Sequence, residues 1–332
     1  MYRGIGGFLC ALTLALGWLV TTPAMAGPGV LTLQIDNDGM VSSDDDNYTS
    51  GVALMWTRAT REQDWTQRVA GGLPRGWLDR IDALSYHLSY RMYTPVEVER
   101  RDLIEDDRPY AGLVLGGLSL YGRQPLSDAW QREEALQFDI GVVGPATSAD
   151  RVQREVHRFT RSQRPRGWSH QLGNEPILNA SYRRHWWHRQ SLGRLELQHG
   201  PELSASLGNL LVQAGTGYGL RLGQGLDNAM GWPSLGVERG GYRQVPVSSG
   251  IGWHLFASLH GRYVAHNLLL DGNTVRDSHS VERRELVGDA VLGVALSWEQ
   301  WEVSLAHVWR SKEFEEQQNS TAHGALSLSY RF

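Results

Sequence analysis

The chain has 332 residues, with 32 basic and 36 acidic side chains and a formal net charge of −4. Its mean hydropathy of −0.37 excludes a bundle of membrane-spanning helices, and the acidic balance gives no basic footprint for nucleic acid. Glycine is frequent (38 residues), and 13 Trp and 12 Tyr outnumber 6 Phe. This composition leaves open a β-barrel with a polar interior and aromatic belts.

The first 26 residues predict a cleaved secretory signal peptide. Arg3 is followed by an apolar run over 5–20, and Ala24-Met25-Ala26 supplies small residues for cleavage. The alternative is a membrane anchor, for which the run is short. The only cysteine, Cys10, lies in this segment, so the mature chain would have no disulfide or thiol chemistry.

Residues 27–332 predict one all-β domain, a transmembrane antiparallel β-barrel of about twelve strands. Apolar residues alternate with small or polar ones, as in Leu84-Ser85-Tyr86-His87-Leu88, which gives a strand one lipid face and one interior face. A soluble sandwich strand could also alternate, but the last segment ends on Phe332, which is typical of outer-membrane barrels. The predicted strands are 30–38, 48–59, 83–93, 111–121, 134–143, 176–188, 193–206, 209–223, 249–265, 282–298, 300–312 and 321–332.

An acidic segment follows the first predicted strand. Asp36-Asn37-Asp38 and Asp44-Asp45-Asp46 place five acids within eleven residues, and these repel one another unless a cation lies among them. Oxygen ligands of this kind favour a hard ion such as Ca²⁺, although the spacing does not match an EF-hand loop. A solvated acidic loop is the alternative.

One segment breaks the strand pattern and predicts a short inserted α-helix near 148–162. Its apolar residues recur at helical spacing, at Val152, Val156 and Phe159. We expect this helix to pack against the barrel wall and so to form a crevice. Gln153 and His157 lie one turn apart beside the apolar stripe, where a histidine is either an ordinary surface residue or a catalytic one.

Four motifs occur along the chain in a fixed order. They are NDxxxxxDDDNYTSG at 37–51, DRPYAG at 107–112, GVVGPxxxxxxVQxxVHR at 141–158 and GWxxQLxNE at 167–175. As an ordered set they resemble the motifs of the outer-membrane lipid A 3′-O-deacylase family. The resemblance covers most of the mature chain, while the region 224–320 adds little that is diagnostic.

The resemblance implies a twelve-stranded barrel whose active site lies between the wall and a short helix on the outward-facing side. It implies an enzyme, a carboxylic ester hydrolase that removes the acyl chain at the 3′-position of lipid A. His157 would be the general base that activates water. Asn37 and Asp38 would hold Ca²⁺, with Asn37 as a ligand or an oxyanion donor, and Thr49 would position the water or the ester. The cation would stabilise the oxyanion.

The chain departs from the family pattern at two places. Gln163 stands where some members carry an acidic residue, so the orientation of His157 would depend on other groups, with Glu155 and Glu175 as candidates. Where a basic side chain would meet a phosphate of lipid A, this chain offers arginines, which bind phosphate through two parallel hydrogen bonds. The arginines predicted to contact substrate are Arg100, Arg101 and Arg108.

The expected location is the bacterial outer membrane, after cleavage near Ala26. Lipid A or lipopolysaccharide would be the substrate, outer-membrane lipids would surround the barrel, and the protein is expected to be monomeric. A serine esterase is disfavoured because no nucleophile-elbow motif lies near a histidine. The alternatives are a non-catalytic barrel, such as a porin or adhesion scaffold, whose lumen would be lined by charges along its length, and an outer-membrane phospholipase.

Overall fold

The computed structural model describes residues 29–38, 50–160, 162–224, 226 and 251–332. Twelve antiparallel strands form a closed barrel in which each strand pairs with its neighbours in sequence and β1 pairs with β12. This confirms the predicted all-β barrel and its strand number. The strands are β1 (Val30–Asn37), β2 (Ser50–Ala59), β3 (Ala83–Tyr93), β4 (Ala111–Pro125), β5 (Trp130–Val143), β6 (Glu175–Leu192), β7 (Leu195–Gly208), β8 (Leu211–Gly223), β9 (Ile251–Asn267), β10 (Leu286–Trp298), β11 (Trp301–Arg310) and β12 (Thr321–Arg331).

Three strands extend beyond a predicted bound by four residues. β4 continues to Pro125, β5 begins at Trp130 and β6 continues to Leu192. Charged residues on the outer wall, such as the ion pair Arg132–Glu134, hide the apolar alternation in this part of the sequence. The main-chain ladder between β4 and β5 nevertheless continues along the whole stretch.

Short helices lie between the strands. In the part of the chain that the structure describes, the α-helices are α1 (Trp65–Gly72), α2 (Ala149–Thr160) and α3 (Leu268–Asp271). Short 3₁₀ helices of three residues each lie at Pro145–Thr147 and Trp168–His170. The helix α2 confirms the predicted insertion between two strands. Across these same residues, no helix has the length and apolar character needed to cross a membrane.

An even number of strands returns the chain to the end of the barrel at which it began. Val30 pairs with Arg331 at this end, which we call the terminal end. Asn37 lies at the opposite end, where the connection carrying α2 also lies; we call this the α2 end. The polypeptide around α1 packs on the outer wall at the terminal end, over Leu84 and Leu120.

Aromatic side chains form part of a belt on the outer wall near the terminal end. Trp56 stacks on Tyr86 with ring centroids 5.8 Å apart, and the Trp301 and Tyr330 rings lie 4.5 Å apart. Both groups are at one level, since Trp56 and Tyr330 flank Leu31 in the register. Such belts mark the interface between membrane and water.

The barrel interior, as far as it is described, is filled with paired charges and large side chains. Buried ion pairs near the α2 end are Arg91–Asp36, Arg262–Asp289 and Arg310–Asp289. The space between these groups is about 50 Å³, which holds only a few water molecules. Farther along the interior, Arg221 lies 4.2 Å from the ring of the buried Trp187. This packing disfavours an open pore.

Candidate functional site

The helix α2 lies against the outer face of the barrel wall. Its first residue, Ala149, packs where Gly112 of β4 has no side chain, and a Cβ at Gly112 would lie 2.4 Å from the Ala149 Cβ. Met92 of β3 pairs with Gly112 and belongs to the same contact. Arg91, the residue before Met92, contacts Asp36 in the interior. Because side chains alternate along a strand, Met92 and its partner Gly112 are on the outer face.

The stripe of α2 that is buried is polar. Ala149 and Gln153 are fully buried and His157 is 7% exposed, whereas Val152 and Phe159 are 39% and 64% exposed. An amphipathic helix on a soluble protein docks through its apolar stripe, whereas α2 docks through the stripe of Ala149, Gln153 and His157 and leaves its apolar stripe exposed. The candidate base is therefore on the protected side of the helix, although the sequence pattern placed it beside the main stripe.

The imidazole of His157 is oriented by the main chain. Its Nδ1 lies 2.5 Å from the carbonyl oxygen of Gln163. Because a carbonyl only accepts, Nδ1 carries the proton and Nε2 is left to accept one. The two carboxylates considered for this role are engaged elsewhere: Glu155 lies 2.6 Å from Arg158, and Glu175 accepts hydrogen bonds from neighbouring amides.

Gln153 brings a buried amide next to His157 on the same stripe. Its Oε1 accepts a hydrogen bond of 2.6 Å from Nε1 of Trp168, which fixes the orientation of the amide. Within the described residues, Nε2 of Gln153 has no hydrogen-bond partner. A buried donor without an acceptor costs about 1–3 kcal/mol, so this group is suited to a water molecule or a ligand.

Asn37 and Asp38 lie at the end of β1, on the level at which α2 docks. A continuous register row crosses four strands at this level and comprises Asn37, Ser50, Met92 and Gly112. Asn37 is therefore on the same outer face as Gly112. The two residues are three strand spacings apart, which is about 14 Å. Asp38 follows and is 1% exposed.

The donor chemistry at this strand end suits Ca²⁺, which prefers carboxylate and amide oxygens. Asn37 and Asp38 are two such ligands, fewer than the six to eight that Ca²⁺ takes. Within the described ranges, no group of three or more His, Cys, Asp or Glu could hold a metal ion. Thr49 and the acids at 44–46 lie outside the described residues. A cation here would need further ligands from water, substrate or other parts of the chain.

A basic cavity of about 510 Å³ borders α2. The charged residues that line it are Arg101, Asp150, Arg154, Arg164 and Arg166. Arg154 is bonded to Asp150 at 2.8 Å, whereas the other three arginines form no ion pair with a described residue. The excess positive charge makes the cavity a candidate anion site. Gln171 and the buried Trp168 also line it, and Trp168 connects the cavity with Gln153.

The three arginines predicted to contact substrate are not brought together. Arg101 lines the basic cavity, and Arg100 lies at the surface, 3.9 Å from Glu97. Arg108 is 1% exposed, stacks on Tyr93 and lies 3.5 Å from Glu313. We therefore keep Arg101 in the candidate site, where Arg154, Arg164 and Arg166 join it. Sequence reasoning missed these partners because only the folded loops bring them together.

The DRPYAG motif holds the loop between β3 and β4 in place. Asp107 accepts hydrogen bonds from the main-chain nitrogens of Val96 and Arg108, at 2.8 and 2.7 Å, and burial raises the pKa of its carboxyl. The hydroxyl of Tyr110 donates to the carbonyl of Val98 at 3.2 Å, and burial raises the pKa of Tyr110 to about 12. The motif thus fixes the loop that carries Arg101.

Comparison with known proteins identifies the family of this chain. The sequence matches the family described as outer membrane protein LpxR over residues 8–332. The chain belongs to the LpxR family. This membership, together with the closed barrel, places the protein in the outer membrane. No curated protein sequence matches the chain significantly.

Solved structures agree with this assignment at the level of the fold. LpxR from Salmonella typhimurium superimposes with a TM-score of 0.75 at 20% sequence identity, covering 91% of this chain and 100% of that one. The β domain of the Bordetella autotransporter BrkA is much less similar, with a TM-score of 0.43 and 9% identity over 92% of this chain and 100% of that one.

Proposed function

We propose that the protein is a lipid A deacylase that hydrolyses the ester-linked acyl chain at the 3′-position of lipid A. The observation that carries the proposal is the orientation of His157, with Nδ1 bonded to the Gln163 carbonyl and Nε2 available. A neutral imidazole held in this way is a general base for water. Membership of the LpxR family supports an outer-membrane substrate, and the ordered motifs support lipid A.

The dimensions of α2 are compatible with bringing His157 to the end of β1. Eight residues separate Ala149 from His157, which is about 12 Å along a helix. This is close to the 14 Å or so between Gly112 and Asn37. A helix that crosses the strands from Gly112 towards β1 would carry His157 to Asn37 and Asp38.

In the proposed reaction, Nε2 of His157 takes a proton from water while the water oxygen bonds to the ester carbonyl carbon. The bond between that carbon and the sugar oxygen then breaks, and His157 returns the proton to the sugar oxygen. The products are a free fatty acid and a hydroxyl on the sugar. Nε2 of Gln153 is available to hold the water or to donate to the carbonyl oxygen.

We propose that Asn37 and Asp38 hold Ca²⁺. When bound there, the ion would supply positive charge to the ester carbonyl oxygen as it becomes negative. Thr49 remains our candidate for positioning the water or the ester.

We propose that the basic cavity receives a phosphate of lipid A. Arginine binds phosphate through two parallel charge-assisted hydrogen bonds, and the cavity holds four arginines against one carboxylate. The longer loops of outer-membrane barrels lie on the extracellular side. The α2 end would therefore face the outer leaflet, where the anionic lipid A lies.

The test of catalysis uses purified protein in detergent with lipid A, and the products are read by mass spectrometry. We expect removal of the 3′-linked acyl chain by the wild type and no removal by His157→Ala, since the base is gone. His170→Ala is the matched control, because His170 is an exposed histidine near the same site. An unchanged rate in His157→Ala would exclude this base, and fatty acid release from glycerophospholipids alone would indicate a phospholipase.

The cation is tested by chelation. We expect a calcium chelator to stop hydrolysis and added Ca²⁺ to restore it, because the oxyanion would lose its positive partner. Asp38→Asn should need more Ca²⁺ for half-maximal rate, since it removes a ligand charge. Full activity of the wild type in excess chelator would contradict the proposed role of the ion.

A further inference from the structure

The apolar stripe of α2 is exposed on the outside of the protein, next to the part of the barrel wall that faces lipid. Val152, Val156 and Phe159 are 39%, 45% and 64% exposed, while the stripe through Gln153 is buried. Charged side chains of α2 such as Arg158 and Glu155 are exposed too, so the helix presents both a charged and an apolar surface outside the protein. Three apolar side chains exposed next to one another on a helix would be unfavourable in water, where such a stripe is normally buried. We call these three residues the apolar flank.

The helix is attached to a wall whose outer face is apolar. It docks at the row of Met92 and Gly112. Four residues farther along β3, about 13 Å away, Leu88 is 59% exposed, and Ile140 of β5 is 63% exposed at the same level. In an outer-membrane barrel such side chains contact lipid. The apolar flank therefore lies beside the lipid-facing band.

The two flanks of α2 have opposite chemistry. At 100° per residue, the apolar flank and the flank of Asp150 and Arg154 are about 170° apart around the helix axis. The latter flank lines the basic cavity together with Arg101 and Arg164, which belong to loops beyond the strand ends. The apolar flank accordingly faces back towards the strands and their lipid band.

We propose that the apolar flank of α2 is inserted into the hydrocarbon of the outer leaflet. Interfacial amphipathic helices bury their apolar side about 5–10 Å into the boundary between headgroups and acyl chains. Inserted in this way, α2 holds the candidate site at the membrane surface, with the anion cavity on its water side and acyl chains on its other side. The inference deepens the proposed function by setting the depth at which a lipid ester is reached, but its first test does not use catalysis.

The test compares two adjacent positions of the helix, Phe159→Cys and Arg158→Cys, each in a Cys10→Ser background so that no other cysteine is present. Each variant carries a bimane label in vesicles of phosphatidylethanolamine and phosphatidylglycerol that include a lipid with a nitroxide on its acyl chain. The label at 159 should lose most of its fluorescence to the nitroxide lipid and little to aqueous iodide. The label at 158 should show the opposite pattern.

Equal quenching of both labels by iodide would overturn the proposal, because the flank would then lie in water. Protection of the 159 label from both quenchers would also overturn it, because protein would then cover the flank. Heat-modifiable mobility on gels verifies that each labelled barrel is folded.

A second readout uses Phe159→Asp with Arg158→Ala as control. Phe159→Asp should lose activity on lipid A in vesicles and keep it on lipid A dispersed in detergent. Equal activity of Phe159→Asp and wild type on vesicles would count against membrane insertion. Absence of activity in the wild type on both substrates would contradict the proposed function and leave the labelling result valid.

Discussion

The side chain at position 163 is not what orients His157. Nδ1 of His157 donates to the main-chain carbonyl of Gln163, and any residue that keeps the local backbone supplies the same acceptor. An acidic side chain at this position would add charge near the imidazole but is not needed to fix its tautomer. The departure of this chain from the family pattern at 163 is therefore compatible with a working base.

Gln163→Ala removes the side chain but keeps the main-chain acceptor. Its kcat/KM for lipid A hydrolysis should stay close to wild type, because the carbonyl that accepts from Nδ1 of His157 is retained. His157→Ala, measured in parallel, supplies the level expected when the base is lost. A loss in Gln163→Ala as large as that in His157→Ala would show that the side chain, and not the main chain, carries the orienting group.

Some residues of the candidate site could be predicted from sequence motifs, whereas others could not. His157 and the Asn37-Asp38 pair could be singled out because each motif keeps them at a fixed place in the chain. Arg108 is in an equally clear motif, yet its buried guanidinium lies 3.5 Å from Glu313, at the α2 end of the barrel interior. Strand alternation predicts two faces but does not decide how a residue just before a strand turns. Arg164 and Arg166 join Arg101 only through tertiary contacts between loops.

At the scale of elements, the strands could be predicted because alternation has a strict period of two. The helix α2 could be predicted from its period, but its orientation could not. The period identifies an apolar stripe without saying whether that stripe meets protein or lipid. In water the stripe would bury itself, whereas on the outside of a membrane barrel the polar stripe is the one to be protected.

Docking of α2 depends on a missing side chain in β4. A Cβ at Gly112 would lie 2.2 Å from Oγ1 of Thr147 and 2.4 Å from the Ala149 Cβ. Gly116 is on the same strand and the same face, and the nearest atom to an added Cβ there is the His87 carbonyl oxygen at 3.9 Å. The two glycines therefore make a matched pair for substitution.

We expect Gly112→Val to displace α2 while the barrel stays closed. Overpacking typically costs about 1–3 kcal/mol, so lipid A hydrolysis should fall by about tenfold or more. Gly116→Val should keep nearly full activity, because its side chain would extend into open space. Gel mobility verifies that the barrel of each variant is closed. Equal activity of the two variants would contradict the expectation, because hydrolysis would then not depend on the docking of α2 at Gly112.

At the scale of the whole molecule, the outer wall carries the candidate site, while the barrel interior contributes to stability. The candidate site lies on the outer face at the α2 end, while the interior near the same end is closed by ion pairs. Arg262 and Arg310 both contact Asp289, at 2.5 and 2.8 Å, and Asp289 is 5% exposed. A site on the outer wall has no need of an open channel, and the interior can then be used for stability.

Substitution of Asp289 should affect stability and leave the outer-wall site unchanged. Asp289→Asn removes the carboxylate shared by the buried guanidinium of Arg262 and the partly buried one of Arg310, and breaking a buried ion pair costs about 3–5 kcal/mol. Urea unfolding in detergent micelles should show this loss, whereas Glu105→Gln, at an exposed acid in the β3–β4 loop, should unfold like wild type. Lipid A hydrolysis by folded Asp289→Asn should be retained, because the site is on the outer wall. Unchanged stability together with lost activity would place Asp289 in the site and contradict the separation of interior and wall.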